Sequence, residues 1–224
     1  DVCSSDLATY AVTMTGALNC LDITVSAGTV TFQNGTTPTL SVAGNWSTIA
    51  GTVWNTTGTV TFTATTAKTL TSGGITINSA FTFNGAGGSW TLQDNFTFGT
   101  TLTTTLTAGT LALGTFTYTT GLFASSGSTA RTINFGTGKI ALKSATTTTV
   151  WNTGTITNLT ISGTPLVECQ GGGTAVTKTI SAGTLSEATM PEFIKLIKNL
   201  VRRDDIDEFI EKNNQSFLQE TKFI

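Results

Sequence analysis

Few side chains here could do chemistry. In residues 1–189 the charged groups beyond Asp1 and Asp6 are Asp22, Lys68, Asp94, Arg131, Lys139, Lys143, Glu168, Lys178 and Glu187, and the chain has no histidine. Glycoside cleavage needs two carboxylates, or a base beside cationic groups, converging on one bond. Asp22, Asp94 and Glu168 are widely dispersed, and Glu187, about one repeat after Glu168, falls at the end of the patterned region. No catalytic set is expected. The best ligand-binding candidates are Arg131, Trp151, Glu168 and Gln170. Arg131, Trp151 and Gln170 each follow an apolar residue of one recurring column, so they are expected on one outer face, with Glu168 just across it. An Arg beside an exposed Trp, with amide and carboxylate neighbours, would grip a sugar ring; the plainer alternative is an Arg–Trp surface contact. Phe123 and Lys143 are expected to interrupt a second outer face, with Phe123 a candidate contact with another chain.

Other motifs are incomplete. Phe135-Gly136-Thr137-Gly138-Lys139-Ile140 resembles the end of a phosphate-binding loop, but Ile140 stands where a hydroxyl should meet magnesium. Asn84-Gly85-Ala86-Gly87-Gly88 is glycine-rich with no helix expected after it. Both read as corners. There is no CxxC pair, so no zinc or haem site and no cofactor is expected. Cys20 and Cys169 fall about seven repeats apart and are not expected to bond; Cys169 continues an apolar column and reads as a small core residue. Asn-x-Ser/Thr triplets are expected by chance in so Thr-rich a chain and carry no glycosylation role.

The elements that must position these groups are written as three columns of apolar residues at a spacing of about twenty. One reads Leu21, Leu40, Val60, Phe81, Leu102, Leu122, Leu142, Ile161, Ile180. A second reads Val30, Ile49, Leu70, Trp90, Leu111, Ala130, Val150, Cys169. The third reads Trp54, Ile75, Phe96, Phe116, Phe135, Ile156, Val176. Repeats of this length, with short strands and glycine corners, predict an all-β, three-faced parallel β-helix of about 20 residues per coil over residues 8–189. Flanking residues point outward, because strand side chains alternate. They are mostly Thr, Ser, Asn and Gly, which predicts Thr ladders sharing hydroxyl hydrogen bonds between coils.

Composition bounds the rest. Charged residues are 11% and net charge is −2, so nothing marks a nucleic-acid partner. No apolar run is long enough to span a bilayer. Charges then crowd into residues 190–224, where Phe193, Ile194, Ile197, Leu200 and Val201 follow helical spacing. Thr189 is placed to cap that helix, with Pro191 in its first turn. This segment is expected to form a short α-helical C-terminal cap or docking element. At the other end, Asp1-Val2-Cys3-Ser4-Ser5-Asp6-Leu7 is what the codons GAC GTG TGC TCT TCC GAT CTN encode. That string resembles a common sequencing-library adapter. Residues 1–7 are therefore expected to be an artefact of a metagenomic reading frame.

Two stretches carry a resemblance. They are Thr149-Val150-Trp151-Asn152-Thr153-Gly154-Thr155-Ile156-Thr157-Asn158-Leu159-Thr160-Ile161-Ser162-Gly163-Thr164-Pro165 and Ser126-Gly127-Ser128-Thr129-Ala130-Arg131-Thr132-Ile133-Asn134-Phe135-Gly136-Thr137-Gly138. Both resemble repeats in Thr/Gly-rich proteins of uncultured marine phages and bacteria, fibre-like or adhesin-like, over roughly residues 20–185. The resemblance implies a structural or adhesive, non-enzymatic role outside the cell, at a cell surface or on a virion. Its partners would be surface glycans or other surface proteins, with oligomers allowed. The runner-up is a carbohydrate- or ice-binding solenoid using its Thr ranks. Ice binding wants an unbroken Thr-x-Thr array, and Phe123 and Lys143 are expected to break the best face. Last comes a polysaccharide-degrading enzyme.

Overall fold

The computed structural model describes residues 9–146, 148–170 and 178–182. Every regular element there is a strand, pairing parallel with strands of the next turn. Three stacks result. The first holds β1 (Thr9–Met14), β4 (Thr29–Asn34), β7 (Val53–Asn55), β10 (Thr76–Ile77), β12 (Phe96–Phe98), β14 (Thr117–Thr120), β17 (Lys139–Leu142) and β20 (Val167–Cys169). The second runs β2 (Ala17–Cys20), β5 (Thr39–Val42), β8 (Val60–Phe62), the start of β11 (Phe81–Leu92), the start of β13 (Thr103–Ala112), β15 (Leu122–Ala124), β18 (Thr148–Thr153) and β21 (Lys178–Ala182). The third comprises β3 (Ile23–Thr24), β6 (Trp46–Ser47), β9 (Ala67–Thr71), the ends of β11 and β13, β16 (Arg131–Asn134) and β19 (Leu159–Ser162). The described residues form an all-β parallel solenoid of about 22 residues per turn. Residues 1–7 and the expected helix of residues 190–224 lie outside the described residues.

The columns need correcting in detail. Leu40, Val60 and Phe81 do stack, but the next residue in that file is Thr104, then Phe123 and Trp151. Leu18, not Leu21, precedes Leu40, and Leu21 is 66% exposed. On the first stack Trp54 meets Ile77, which leads to Phe98, while Phe96 meets Tyr118, then Ile140, then Val167. Phe96, Phe116 and Ile156 therefore do not form one file; Phe116 and Ile156 sit half-buried before β14 and β19. Turn length varies, from 19 residues between Thr104 and Phe123 to 28 between Phe123 and Trp151. A two-residue drift returns a strand side chain to the same face, so a constant spacing of twenty still picks mostly inward residues.

Aromatic rings fill the interior. Trp46, Trp54, Phe62, Phe81, Phe83, Trp90, Phe96, Phe98 and Tyr118 are all buried. Phe62 stacks on Phe83 at 5.1 Å, and Trp46 meets Trp54 edge-on at 4.5 Å. Such pairs add about 0.5–1.5 kcal/mol each beyond area burial. Buried hydroxyls are paired: Trp54 Nε1 donates to Ser79 Oγ at 2.9 Å, and Ser79 Oγ to Thr56 O at 2.8 Å. Across the core, Thr104 Oγ1 lies 3.1 Å from Tyr118 Oη. Burial pushes that phenol's pKa well above its ordinary value, so it stays a neutral partner. At the corner between β11's two halves only glycine fits: a Cβ on Gly88 would lie 2.0 Å from Ala64 O. The expected Asn84–Gly88 corner is thus a corner.

Candidate functional site

The four candidate ligand residues do not share a face. Arg131 begins β16 on the third stack and is 2% exposed; Trp151 lies in β18 on the second and is 1% exposed. Trp151 points inward, its ring stacked on Phe123 at 5.0 Å. Phe123 is likewise core, 1% exposed, and interrupts no outer face. Glu168 and Gln170 belong to the end of the first stack, where Lys143 also lies, following β17. The expectation of an exposed Arg–Trp pair failed because turn length changes just there: the drift reverses which residues face out.

The lengthening has a local structure. From Thr105 to Gly109 the corner of β13 spans four residues, whereas Ala124 to Arg131 and Asn152 to Leu159 each span seven. The two enlarged corners lie one on the other. Gly127 N donates to Thr155 O at 3.1 Å, Thr155 N to Ser126 Oγ at 2.9 Å, and Asn158 Nδ2 to Ser128 O at 2.8 Å. Asn158 takes the left-handed conformation, φ 58°, which Asn tolerates better than most residues. Arg131 fastens both corners. Its Nε donates to Ser125 Oγ at 2.9 Å, Nη1 to Thr129 O and Thr157 O at 2.9 Å, and Nη2 to Ser125 O at 2.9 Å and to Thr155 O. A guanidinium has five N–H donors, so this set leaves none for a ligand. Its signal in the sequence was a lone Arg after the Ser-Ser-Gly-Ser-Thr run of residues 125–129 in a charge-poor region. Beside these corners is a shallow groove of about 190 Å³, lined by Gly87, Gly88, Gly109, Thr110, Thr132 and Asn158 among others.

The described carboxylates are also committed to neighbours. Asp94 accepts from Ser72 N and Gly73 N at 2.7 Å each, closing a corner of the preceding turn. Asp22 accepts from Asn45 N at 2.5 Å. Glu168 Oε1 accepts from Lys139 Nζ at 2.9 Å, and Gln170 Nε2 donates to Oε2. The hydrogen bond from Lys139, helped by Gln170, holds the Glu168 carboxyl below its usual range despite partial burial. Cys169 is exposed, not core, at the last described strand of its stack. Burial, and then the Asp22 carboxylate, push the Cys20 thiol up. Among the described residues no three His, Cys, Asp or Glu side chains cluster as metal ligands, and no helix is long and apolar enough to cross a membrane.

Outward hydroxyls form the remaining repeated feature. On the second stack Ser41, Thr61, Thr82 and Thr105 lie in register. Two positions earlier stand Thr39 and Thr103, within β5 and β13, and Thr59 and Ala80, just before β8 and β11; two positions later come Ala43, Thr63 and Asn84, where the register shifts so that Asn84 meets Ala108 and Thr107 falls at the bulge. The hydroxyl-bearing residues stack as expected, but the expected hydrogen bonds between their hydroxyls are not formed on this face. Thr63 Oγ1 donates to Val42 O at 3.5 Å, while the other hydroxyls of this face bond to no described residue. No family model, curated protein or solved structure matches the chain.

Proposed function

We propose that this chain is a non-enzymatic structural or adhesive β-solenoid, fibre-like or adhesin-like, displayed outside a cell or on a virion. One observation carries the reading: Asp22, Asp94, Arg131, Lys139 and Glu168 are tied into the frame, while what repeats on the outside is neutral hydroxyl. Asp22, Asp94 and Arg131 each hold backbone of a neighbouring turn, and Glu168 pairs with Lys139. The frame gives reach, and its faces make weak contacts with cell-surface glycans or other surface proteins. Multivalent display raises the avidity of such contacts without any one being strong. The half-buried Leu159 and Ile161 on β19 call for cover, and we assign that task to the amphipathic segment of residues 190–224.

The test compares the full chain as free protein and as a bead-bound array, on a glycan panel and on whole bacterial cells. Retention of the array alone, unchanged in Glu168→Gln, is the expected result. Turnover of any glycan by the wild type and not by Glu168→Gln would replace this reading with an enzymatic one.

A further inference from the structure

The outer face of the second stack carries a more specific assignment. Nine of its twelve outward positions on or directly beside β5, β8, β11 and β13 are hydroxyl-bearing: Thr39, Ser41, Thr59, Thr61, Thr63, Thr82, Thr103, Thr105 and Thr107, the last at a bulge where the register shifts so that Asn84 meets Ala108. No ionisable residue occurs in 39–43, 59–63, 80–84 or 103–107. The strands behind are fixed by Leu40, Val42, Val60, Phe62, Phe81, Phe83 and Leu106, all buried. The result is a grid with about 4.8 Å between strands and about 6.7 Å between alternate residues along each, regular up to the bulge at Thr107. Each Thr presents a methyl group beside its hydroxyl. All of these hydroxyls except that of Thr63 have no partner among the described residues. The expected interruptions are not on this face, since Phe123 lies in the core and Lys143 follows a strand of the first stack. Its actual limits are Ala17 and Asn19 on one side and Leu122 and Ala124 on the other.

We propose that this grid binds the surface of ice. Three arguments select that occupant. The face spans about 300 Å² by strand spacing, well short of the ~800 Å² per partner of a stable protein interface, which disfavours a second copy. It has no outward aromatic ring, the platform on which a sugar would stack. It is neutral and periodic in two directions, matching a neutral lattice of water whose hydrogen bonds repeat at similar spacings. Free hydroxyls bond lattice water, and methyl groups occupy the gaps. The other two stacks fit less well. The first has Val53 and Glu168 in its outward rank, and on the third Thr69 Oγ1 is bonded to Asn45 Oδ1.

The experiment is an ice-affinity partition of the full chain with thermal-hysteresis measurement. Thr82→Tyr, in mid-grid, and the double variant Thr61→Val/Thr82→Val are compared with Thr76→Tyr, exposed on the first stack. Circular dichroism and melting confirm each fold. The wild type and Thr76→Tyr are expected to enter ice, Thr82→Tyr to fall to the level of a size-matched inert protein, and the Val pair to keep only part of the enrichment. Exclusion of the folded wild type from ice overturns the proposal, as does equal enrichment of Thr82→Tyr. Retention on crystalline cellulose or chitin without ice enrichment would also overturn it, and would leave the adhesive reading standing.

Discussion

Replacing Arg131 with Met tests whether the guanidinium is a structural clasp or a ligand group. Met keeps the length of the buried stem and removes every donor. Ser125 is fully buried, so its carbonyl and hydroxyl would lose their Arg131 partner with water excluded, at about 1–3 kcal/mol for each orphaned group. Ser125 Oγ still has Leu106 O at 3.1 Å, which keeps the cost toward the lower end. Thr129, Thr155 and Thr157 are exposed, and water can satisfy their carbonyls after the change. The sum is about 2–4 kcal/mol, a large share of the 5–15 kcal/mol typical of a folded domain. At about 2–4 °C per kcal/mol for a chain of this size, the melting point should drop by roughly 10 °C. Arg131→Lys should recover little, since a single ammonium cannot span carbonyls of two corners. Denaturation followed by tryptophan emission reads the loss, and amide exchange at Gly127 localises it, because its N–H is held by Thr155 O. A Met variant within about 0.5 kcal/mol of wild type, with Gly127 still protected, would refute the clasp. A stable variant that lost glycan retention would return Arg131 to the ligand set.

Ser79→Ala should cost about 1–3 kcal/mol in the same assay, because Trp54 Nε1 is left buried without its acceptor. Gly88→Ala should destabilise by about 1–3 kcal/mol or more through the clash with Ala64 O. Gly127→Ala, where an added Cβ meets nothing within 4 Å, should be neutral or stabilising; melting both variants separates close approach from chain entropy. Glu168 has a depressed carboxyl pKa, so its contribution is present above the ordinary value near 4.3 and is lost as pH falls through the lower folded value. Being partly exposed, the pair is worth under about 1 kcal/mol, and Glu168→Gln should differ from wild type at pH 7 but converge with it at strongly acidic pH.

The solenoid was legible because a repeat shows itself in any residue set that samples the inward face. Leu40, Val60 and Phe81 were placed correctly where successive turns differ by only one residue in length. The pattern lost its register at Leu102, where Thr104 occupies the core instead. Apolar periodicity overlooks a buried Thr whose hydroxyl is satisfied by Tyr118 and Thr120. The slip to Thr104 and the 19-residue turn after it put Phe123, not Leu122, in the core; Trp151 was misassigned because the extra residues of the next turn fall in Ser/Thr/Gly corners, which carry no apolar mark. The candidate glycan patch disappeared with them. The hydroxyl face was half visible: the flanks of Leu40 and Val60 in the first column, Thr39/Ser41 and Thr59/Thr61, do face outward, while the flanks of Leu102, Thr101/Thr103, lie two positions before the outward Thr103/Thr105.

β11 and β13 bend round one corner and pair along two sides at once, whereas most neighbouring turns are joined by separate short strands. Bonds between turns run along the rod, so a pull on its ends loads them one layer at a time, like a zip opened from its tab. Peeling would proceed easily from either tip and stall at this doubly sewn waist. A solenoid pulled in this way gives up length in stages and keeps its middle intact.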